Sequence, residues 1–143
     1  MAGASPDRWG DLCAEQLQRL CSAGFMPMVS LVVGLPGETP QHVQTTLDWV
    51  RSIAELPLTI FPVFLTPVRD GRAVVPADLT RLHWRLIREC YELNFRRVPG
   101  MYWNDQLAAG VGLGKRVALQ LLGKGQVVLW RCLLSRHMRR ASS

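Results

Sequence analysis

The residues of this chain whose types could do chemistry are few and unevenly placed. The segment Gly34-Leu-Pro-Gly-Glu-Thr39 sets two glycines, a proline and a carboxylate side by side. Glycines without a Cβ let backbone approach a planar ligand closely, and a proline between them stiffens the turn. Glu38 could accept from ligand hydroxyls or amines, or it could simply answer the positive end of the helix that follows. For Glu38 alone the two roles balance. Three histidines, His42, His83 and His137, share no spacing, and none has an acidic neighbour in sequence placed to orient it, so no motif supports metal or acid-base chemistry. Four cysteines, at 13, 21, 90 and 132, lack the short paired spacings of a zinc or iron-sulfur site. They read as reduced, buried thiols, with Cys13 and Cys21 eight apart on one helical face. The run Ala109-Gly-Val-Gly-Leu-Gly-Lys-Arg116 approaches a phosphate loop, but Ala109 replaces its first glycine, Arg116 replaces the Ser or Thr that would hold magnesium, and no strand precedes it. The glycines also miss the dinucleotide pattern, and close packing of two helices accounts for them better.

The elements that must position these residues are legible in outline. Ser5-Pro6-Asp7 has the order of an N-cap, a first helical position and an acidic first turn, and Trp9, Leu12, Cys13, Leu17, Leu20 and Cys21 recur at helical spacing. Gly24 ends that helix. Met26 to Gly34 is an uncharged run rich in Val and Leu, as in a strand covered on both faces. Thr39-Pro40 opens a second helix carrying Val43, Leu47, Val50 and Ala54, and Leu58 to Leu65 is a second apolar strand. Pro62 inside that strand cannot donate to a ladder, which places the strand at an edge and makes it the last of its sheet. Beyond a polar stretch, Pro67 to Pro76, the stripe Leu79, Leu82, Leu86, Cys90 and Leu93 predicts a helix, and two more are expected at Asn104–Leu122 and Gln126–Met138, separated by Gly123-Lys124-Gly125. The alternation of helix and strand gives an α/β fold with a parallel sheet. Two strands cannot form a stable parallel sheet unaided, so an upstream segment or a partner must complete it.

With 143 residues, 48% of them hydrophobic and 20% charged, the chain has a core's worth of apolar side chains and no disordered composition. No uninterrupted apolar run reaches the roughly 18 residues of a membrane span, and MAGASPDRWGD does not read as a secretory signal, so the cytoplasm is the default location. Residues 1 to 105 carry ten Lys or Arg against all eleven acids, whereas residues 106 to 143 carry seven basic residues and no acid. The net charge of +6 therefore lies in the C-terminal quarter. There Val127, Val128, Trp130, Leu133, Leu134 and Met138 alternate with Arg131, Arg136, Arg139 and Arg140, a composition suited to an anionic membrane surface and a peripheral place at the inner membrane. Docking of that helix on its own domain, with a solvated basic rim, is the competing account. Nucleic acid fits less well, because no stacking aromatics accompany Trp130.

The segment from Met28 to Leu47, MVSLVVGLPGETPQHVQTTL, resembles the strand-loop-helix found late in the barrel of radical S-adenosylmethionine (SAM) enzymes. The resemblance covers roughly residues 5 to 105. It takes in the helix with Trp9 and Ala23-Gly24-Phe25, the strand FPVFLTPV, and a stretch from Leu79 to Trp103 similar to C-terminal extensions of cobalamin-binding members. It implies the C-terminal portion of a partial (β/α) TIM-like barrel over residues 1–66, a linker over 67–78, and an α-helical C-terminal extension with a basic tail over 79–143. It also implies a SAM-binding wall at Val33, Gly34, Pro36, Gly37 and Glu38. In the intact enzyme a 4Fe-4S cluster would cleave SAM reductively to a 5'-deoxyadenosyl radical, with cobalamin as a further cofactor. The CxxxCxxC run that holds the cluster in this family is missing here, as are the early strands, so the expectation is a fragment, or a decayed relative, that would not cleave SAM alone. Its partners would be the missing N-terminal barrel half and a small-molecule substrate. The alternative is a non-catalytic module acting through its basic C-terminal helix at a membrane surface.

Overall fold

The computed structural model describes residues 8–65 and 73–141, so the expected cap at Ser5 to Asp7 and residues 67–72 of the expected linker lie outside the described residues. The first helix, α1 (Trp9–Ser22), ends as its glycine predicts: Gly24 has a φ of 87°, and the Phe25 N–H reaches back to the Leu20 carbonyl at 3.1 Å. Strand β1 (Met28–Val33) follows, then α2 (Pro40–Ser52) and β2 (Thr59–Phe64). Helix α2 starts at a reciprocal cap in which Thr39 Oγ1 accepts from the His42 N–H and His42 Nδ1 accepts from the Thr39 N–H, each at 3.3 Å. Val43, Leu47 and Val50 face inward from α2 and pack with Leu58, Ile60 and Leu86 in the main core.

The two strands are parallel, with Met28 opposite Thr59 and Val33 opposite Phe64. Which edge each backbone group faces follows from the ladder. The Thr59 N–H bonds Pro27 O at 3.0 Å and the Leu65 N–H bonds Val33 O at 3.2 Å. Successive residues of a strand present their backbone groups to opposite sides, so Ile60, Pro62 and Phe64 point to the outer edge of β2, and Met28, Ser30 and Val32 to the outer edge of β1. Pro62 therefore lacks its N–H on the side where no strand is paired, as its type predicts. Ile60 is covered differently. Its N–H donates to Asn94 Oδ1 at 2.8 Å and its carbonyl accepts from Asn94 Nδ2 at 2.7 Å, so one buried amide does for Ile60 what a further strand would do. The two faces of the sheet also differ. Val29, Leu31 and Ile60 pack against the helices, while Met28, Val32, Phe61 and Val63 are exposed on the other face. This corrects the expectation of a strand covered on both faces.

The C-terminal half is a helical hairpin, and its boundaries depart from the sequence reading. Helix α3 (Arg81–Ala108) starts after the cap residue Thr80, runs through Pro99 without a break and ends at the turn around Gly110. Helix α4 (Leu113–Arg140) runs through Gly123-Lys124-Gly125, where an interruption was expected. A mid-helix glycine costs about 1 kcal/mol, and contacts with α3 distributed along α4 offset it. From the turn outward these are Arg116 over the Trp103 ring at 4.6 Å, the Gln120 amide donating to Pro99 O at 2.7 Å, Trp130 stacked on Tyr91 at 5.5 Å, and His137 stacked on Trp84 at 4.6 Å. Arg131 adds a bidentate ion pair with Glu92, at 2.6 to 3.1 Å, which holds the guanidinium pKa above its ordinary value.

Candidate functional site

The loop at the C-terminal end of β1 is built from two nested devices. Leu35 O accepts from the Glu38 N–H at 3.0 Å across Pro36-Gly37, and Gly37 has a φ of 77°, the pattern of a type II turn with proline and glycine at its two central positions. Around that turn the Glu38 carboxylate folds back, and its Oε2 accepts from the Gly34 N–H at 3.1 Å. The same oxygen lies 3.0 Å from His83 Nε2, at the start of α3. His83 Nδ1 in turn accepts from the Thr80 N–H at 3.2 Å, so Nε2 carries the proton and donates to Glu38. Both side chains are only 12% exposed. An acidic partner for His83 is thus supplied by the fold from 45 residues away, which corrects the reading of that histidine as unoriented. With both ring nitrogens engaged, His83 ties the loop to α3 and has no free nitrogen for proton transfer.

The five residues assigned to the SAM wall separate into two groups. Pro36 and Gly37 are exposed, and a Cβ on Gly37 would meet nothing within 4 Å. Glu38 keeps Oε1 without a hydrogen bond among the described residues. Val33 and Gly34 face the interior. Val33 is buried with Leu79, Trp84, Ile87 and Leu134. Gly34 has a φ of 85°, and a Cβ there would stand 2.9 Å from both γ-methyls of Val74, so its missing side chain makes room for Val74 rather than for a ligand.

The other singled-out residues do not converge. Among the described residues no group of three or more His, Cys, Asp or Glu side chains could hold a metal. The cysteines are all free, but only Cys90 is buried; Cys13 and Cys21 are partly exposed and Cys132 is exposed, against the expectation of four buried thiols. Burial pushes the Cys90 thiol up to about 12. The run from Ala109 to Arg116 is the turn between α3 and α4, with a helix before it where a phosphate loop needs a strand.

Two features went unread in the sequence. A groove of about 840 Å³ is lined by Arg51, Arg81, Arg85, Arg88 and Arg96 with Glu89 and Glu92, and a second cavity of about 550 Å³ lies between α3, α4 and the exposed sheet face at Phe61. Arg81, Arg85 and Arg88 recur at helical spacing, so the first was within reach of a helical reading of charge. Among the described residues, α4 is long and apolar enough by length and composition to cross a membrane, and it is mostly exposed. Compared with family models, curated proteins and solved structures, the chain finds no match.

Proposed function

We propose that this chain is the late portion of a radical SAM barrel, contributing a wall of the SAM site through the turn at Pro36, Gly37 and Glu38, with α3 and α4 as its C-terminal extension. The observation that carries this is the asymmetry of the sheet. The outer edge of β2 is closed by Asn94 and Pro62, whereas the outer edge of β1 presents the backbone groups of Met28, Ser30 and Val32, and the free face beside it is apolar. That is what the last strand-helix-strand unit of a larger parallel sheet offers: one finished edge, one edge for the preceding strand, and a face that a closing barrel would turn inward. The loop lies at the C-terminal end of β1, where parallel sheets and barrels place their ligands.

The residues fit SAM in part. Exposed Leu35 and Pro36 offer apolar surface to an adenine, Gly37 leaves the backbone open to close approach, and Glu38 Oε1 is available to accept from a ribose hydroxyl or an amine. Gly34, filled by Val74, leaves the ligand-facing set and becomes part of the support beneath it. SAM bound there would supply methyl or 5'-deoxyadenosyl chemistry to a reaction centre carried outside this chain. A 4Fe-4S cluster does not fit the described residues: Cys13 and Cys21 lie on α1, Cys90 in the core and Cys132 on exposed α4. Cobalamin likewise finds no ligand among the described residues of the loop.

Two measurements test this. Reading the encoding DNA upstream of Met1 should reveal an in-frame CxxxCxxC within the preceding half barrel, and an in-frame stop without one overturns the placement. In that longer protein, Gly37→Val should weaken SAM binding about tenfold or more by equilibrium dialysis while circular dichroism stays unchanged. An unchanged affinity removes the site from the loop.

A further inference from the structure

We infer that the outward side of the α3–α4 hairpin docks in the plane of an anionic lipid bilayer, with the exposed aliphatic side of α4 entering the interface and the arginine groove beside its C-terminal end taking lipid phosphates. One side of α4 is used by α3. Val128, Leu129 and Leu133 lie on the opposite side, and Val117, Leu121 and Leu122 at its margins, where they also rim cavities shared with α3; all six are exposed, with Leu122 at 67% and Val128 and Leu129 at 59%. From Val117 to Leu133 this surface runs about 24 Å along the helix axis. A helix apolar on both its docked and its outward side belongs in a larger core or in lipid. Between Val117 and Leu133 the polar side chains Gln120, Lys124, Gln126 and Arg131 all lie toward or beside α3, which leaves the outward surface aliphatic apart from Cys132, so it suits a fluid apolar medium.

Charge decides the kind of surface. No acid follows Asp105, and seven basic residues do. Beside the C-terminal end of α4, where Arg88 Nη1 contacts Met138 Sδ at 4.0 Å, the arginine groove continues onto α3. Basic residues in the last turn of α4 complement its own helix dipole, which accounts for some of them. Arg81 and Arg85 have no such account. Arg81 is the first residue of α3, where a cation opposes the dipole, and Arg85 lies one turn on; neither side chain forms a hydrogen bond or ion pair among the described residues, and both line the groove, whose two carboxylates, Glu89 and Glu92, are paired with Arg51 and Arg131. Their charge is available to an anion from outside, and planar guanidinium groups suit phosphate. An apolar strip next to an arginine groove matches the two layers of an anionic membrane surface, acyl chains and phosphates. In-plane docking follows from the same contacts. Crossing a bilayer would require α4 to give up Trp103, Tyr91, Glu92 and Trp84 and to bury Lys124 and Arg131 in hydrocarbon.

The test is flotation of the full 143-residue chain with phosphatidylcholine vesicles and with vesicles in which about a third of the lipid is phosphatidylglycerol. Binding is expected to the anionic vesicles only, weakened by salt and fully released by alkaline carbonate. Arg81→Gln with Arg85→Gln should lower the partition roughly fivefold for each arginine removed. Val128→Gln with Leu129→Gln, which leave the charge and the contacts with α3 intact, should lower it at least tenfold. Helix content by circular dichroism should be unchanged in both variants. Any of four results overturns the inference: no flotation with either vesicle, equal flotation with both, resistance to carbonate, or retention on single-stranded RNA without flotation. Self-association that disappears in the Val128→Gln, Leu129→Gln protein, with no lipid binding by the wild type, overturns it in favour of a second copy as the occupant. None of these outcomes involves SAM, so they stand apart from the test of the loop.

Discussion

Removing the Asn94 side chain should cost more stability than any exposed substitution in the molecule, because the amide finishes the β2 edge. Ile60 is 0% exposed and Asn94 4%, so in Asn94→Ala the Ile60 N–H and carbonyl lose their partners at the floor of the cavity beside Phe61, where water entering that cavity would recover only part of the loss. Each orphaned buried backbone group costs about 1–3 kcal/mol, which puts the pair at about 2–6 kcal/mol, a large fraction of the 5–15 kcal/mol of a typical domain. With a urea m-value of about 1–3 kcal/mol/M, the midpoint should fall by roughly 1–2 M at unchanged slope. Asn94→Leu keeps the branched shape while filling the site and should cost at least nearly as much, since the hydrogen bonds are lost whether or not the space is packed. Asn94→Asp keeps an acceptor for the Ile60 N–H but sets a carboxylate against the Ile60 carbonyl, so its deficit should shrink as pH falls and the carboxyl regains a proton. Urea denaturation followed by far-ultraviolet circular dichroism reads all three, with Ser30→Ala on the exposed face as a control near zero. An Asn94→Ala loss below about 1 kcal/mol, or an Asn94→Leu variant as stable as the wild type, would refute the claim that the amide stands in for a strand.

Other consequences follow from the loop and the core. Gly34→Ala should destabilise more than Gly37→Ala, because both positions add the strain of a positive φ, about 1–2 kcal/mol, but only Gly34 also drives a methyl into Val74; thermal melts of the two variants check the order. His83→Ala should leave the helices intact and loosen the loop, seen as faster amide exchange at Gly34 and Glu38, and equal exchange would show that the 3.0 Å contact does not hold the turn. The Cys90 thiol, at about 12 in the native state against 9.0 for an unperturbed thiol, is protonated when folded over a range in which the unfolded chain has lost its proton. Its contribution is therefore complete below pH 9 and is lost as pH rises toward 12, so stability should fall over that window, and a disulfide reagent at pH 8 should label Cys132 at once and Cys90 only on unfolding. Anaerobic treatment of the isolated chain with iron and sulfide should leave no stoichiometric 4Fe-4S chromophore; a stable one would contradict the dispersed cysteines.

What was legible in the sequence was local chemistry repeated over short distances. The Thr39-Pro40 start of α2, the glycine end of α1 and the edge character of Pro62 each depend on a residue and its near neighbours, and each appears where its type directs. The capping histidines were equally within reach, since Thr39 to His42 and Thr80 to His83 share the spacing Thr-x-x-His and both form reciprocal caps. The errors lie where distant contacts outweigh local preference. Gly123 and Gly125 signal a break, yet α4 continues because α3 holds it on either side of them, through Gln120 before and Trp130 after. The Glu38–His83 link spans 45 residues and no spacing rule anticipates it. Gly34 was read as open to a ligand because a missing Cβ leaves space, but sequence does not say what fills that space, and here Val74 does.

The same distinction sharpens where a ligand and a neighbour could meet the chain. Every interior-facing group at the end of β1 is already satisfied from α3, from the loop itself or from the irregular segment at Val74: Val33 by Trp84 and Ile87, Gly34 by Glu38 and Val74, Glu38 Oε2 by His83. What remains open is the tip of the turn, the outer edge of β1 and the apolar sheet face beside it. A ligand gripped by the tip alone would touch one side of the chain and leave the rest of its surface in water, whereas well-formed sites bury most of a small ligand. The open edge and face supply the place for the missing enclosure, because a strand paired to Met28, Ser30 and Val32 would set its own C-terminal loop next to Pro36 and Gly37. On the proposed SAM placement, completing the sheet and completing the site would be the same event: a SAM affinity measured on the 143-residue chain alone should be weak for a geometric reason, and a gain in affinity on adding a strand beside β1 should appear together with protection of the Ser30 and Val32 amides from exchange.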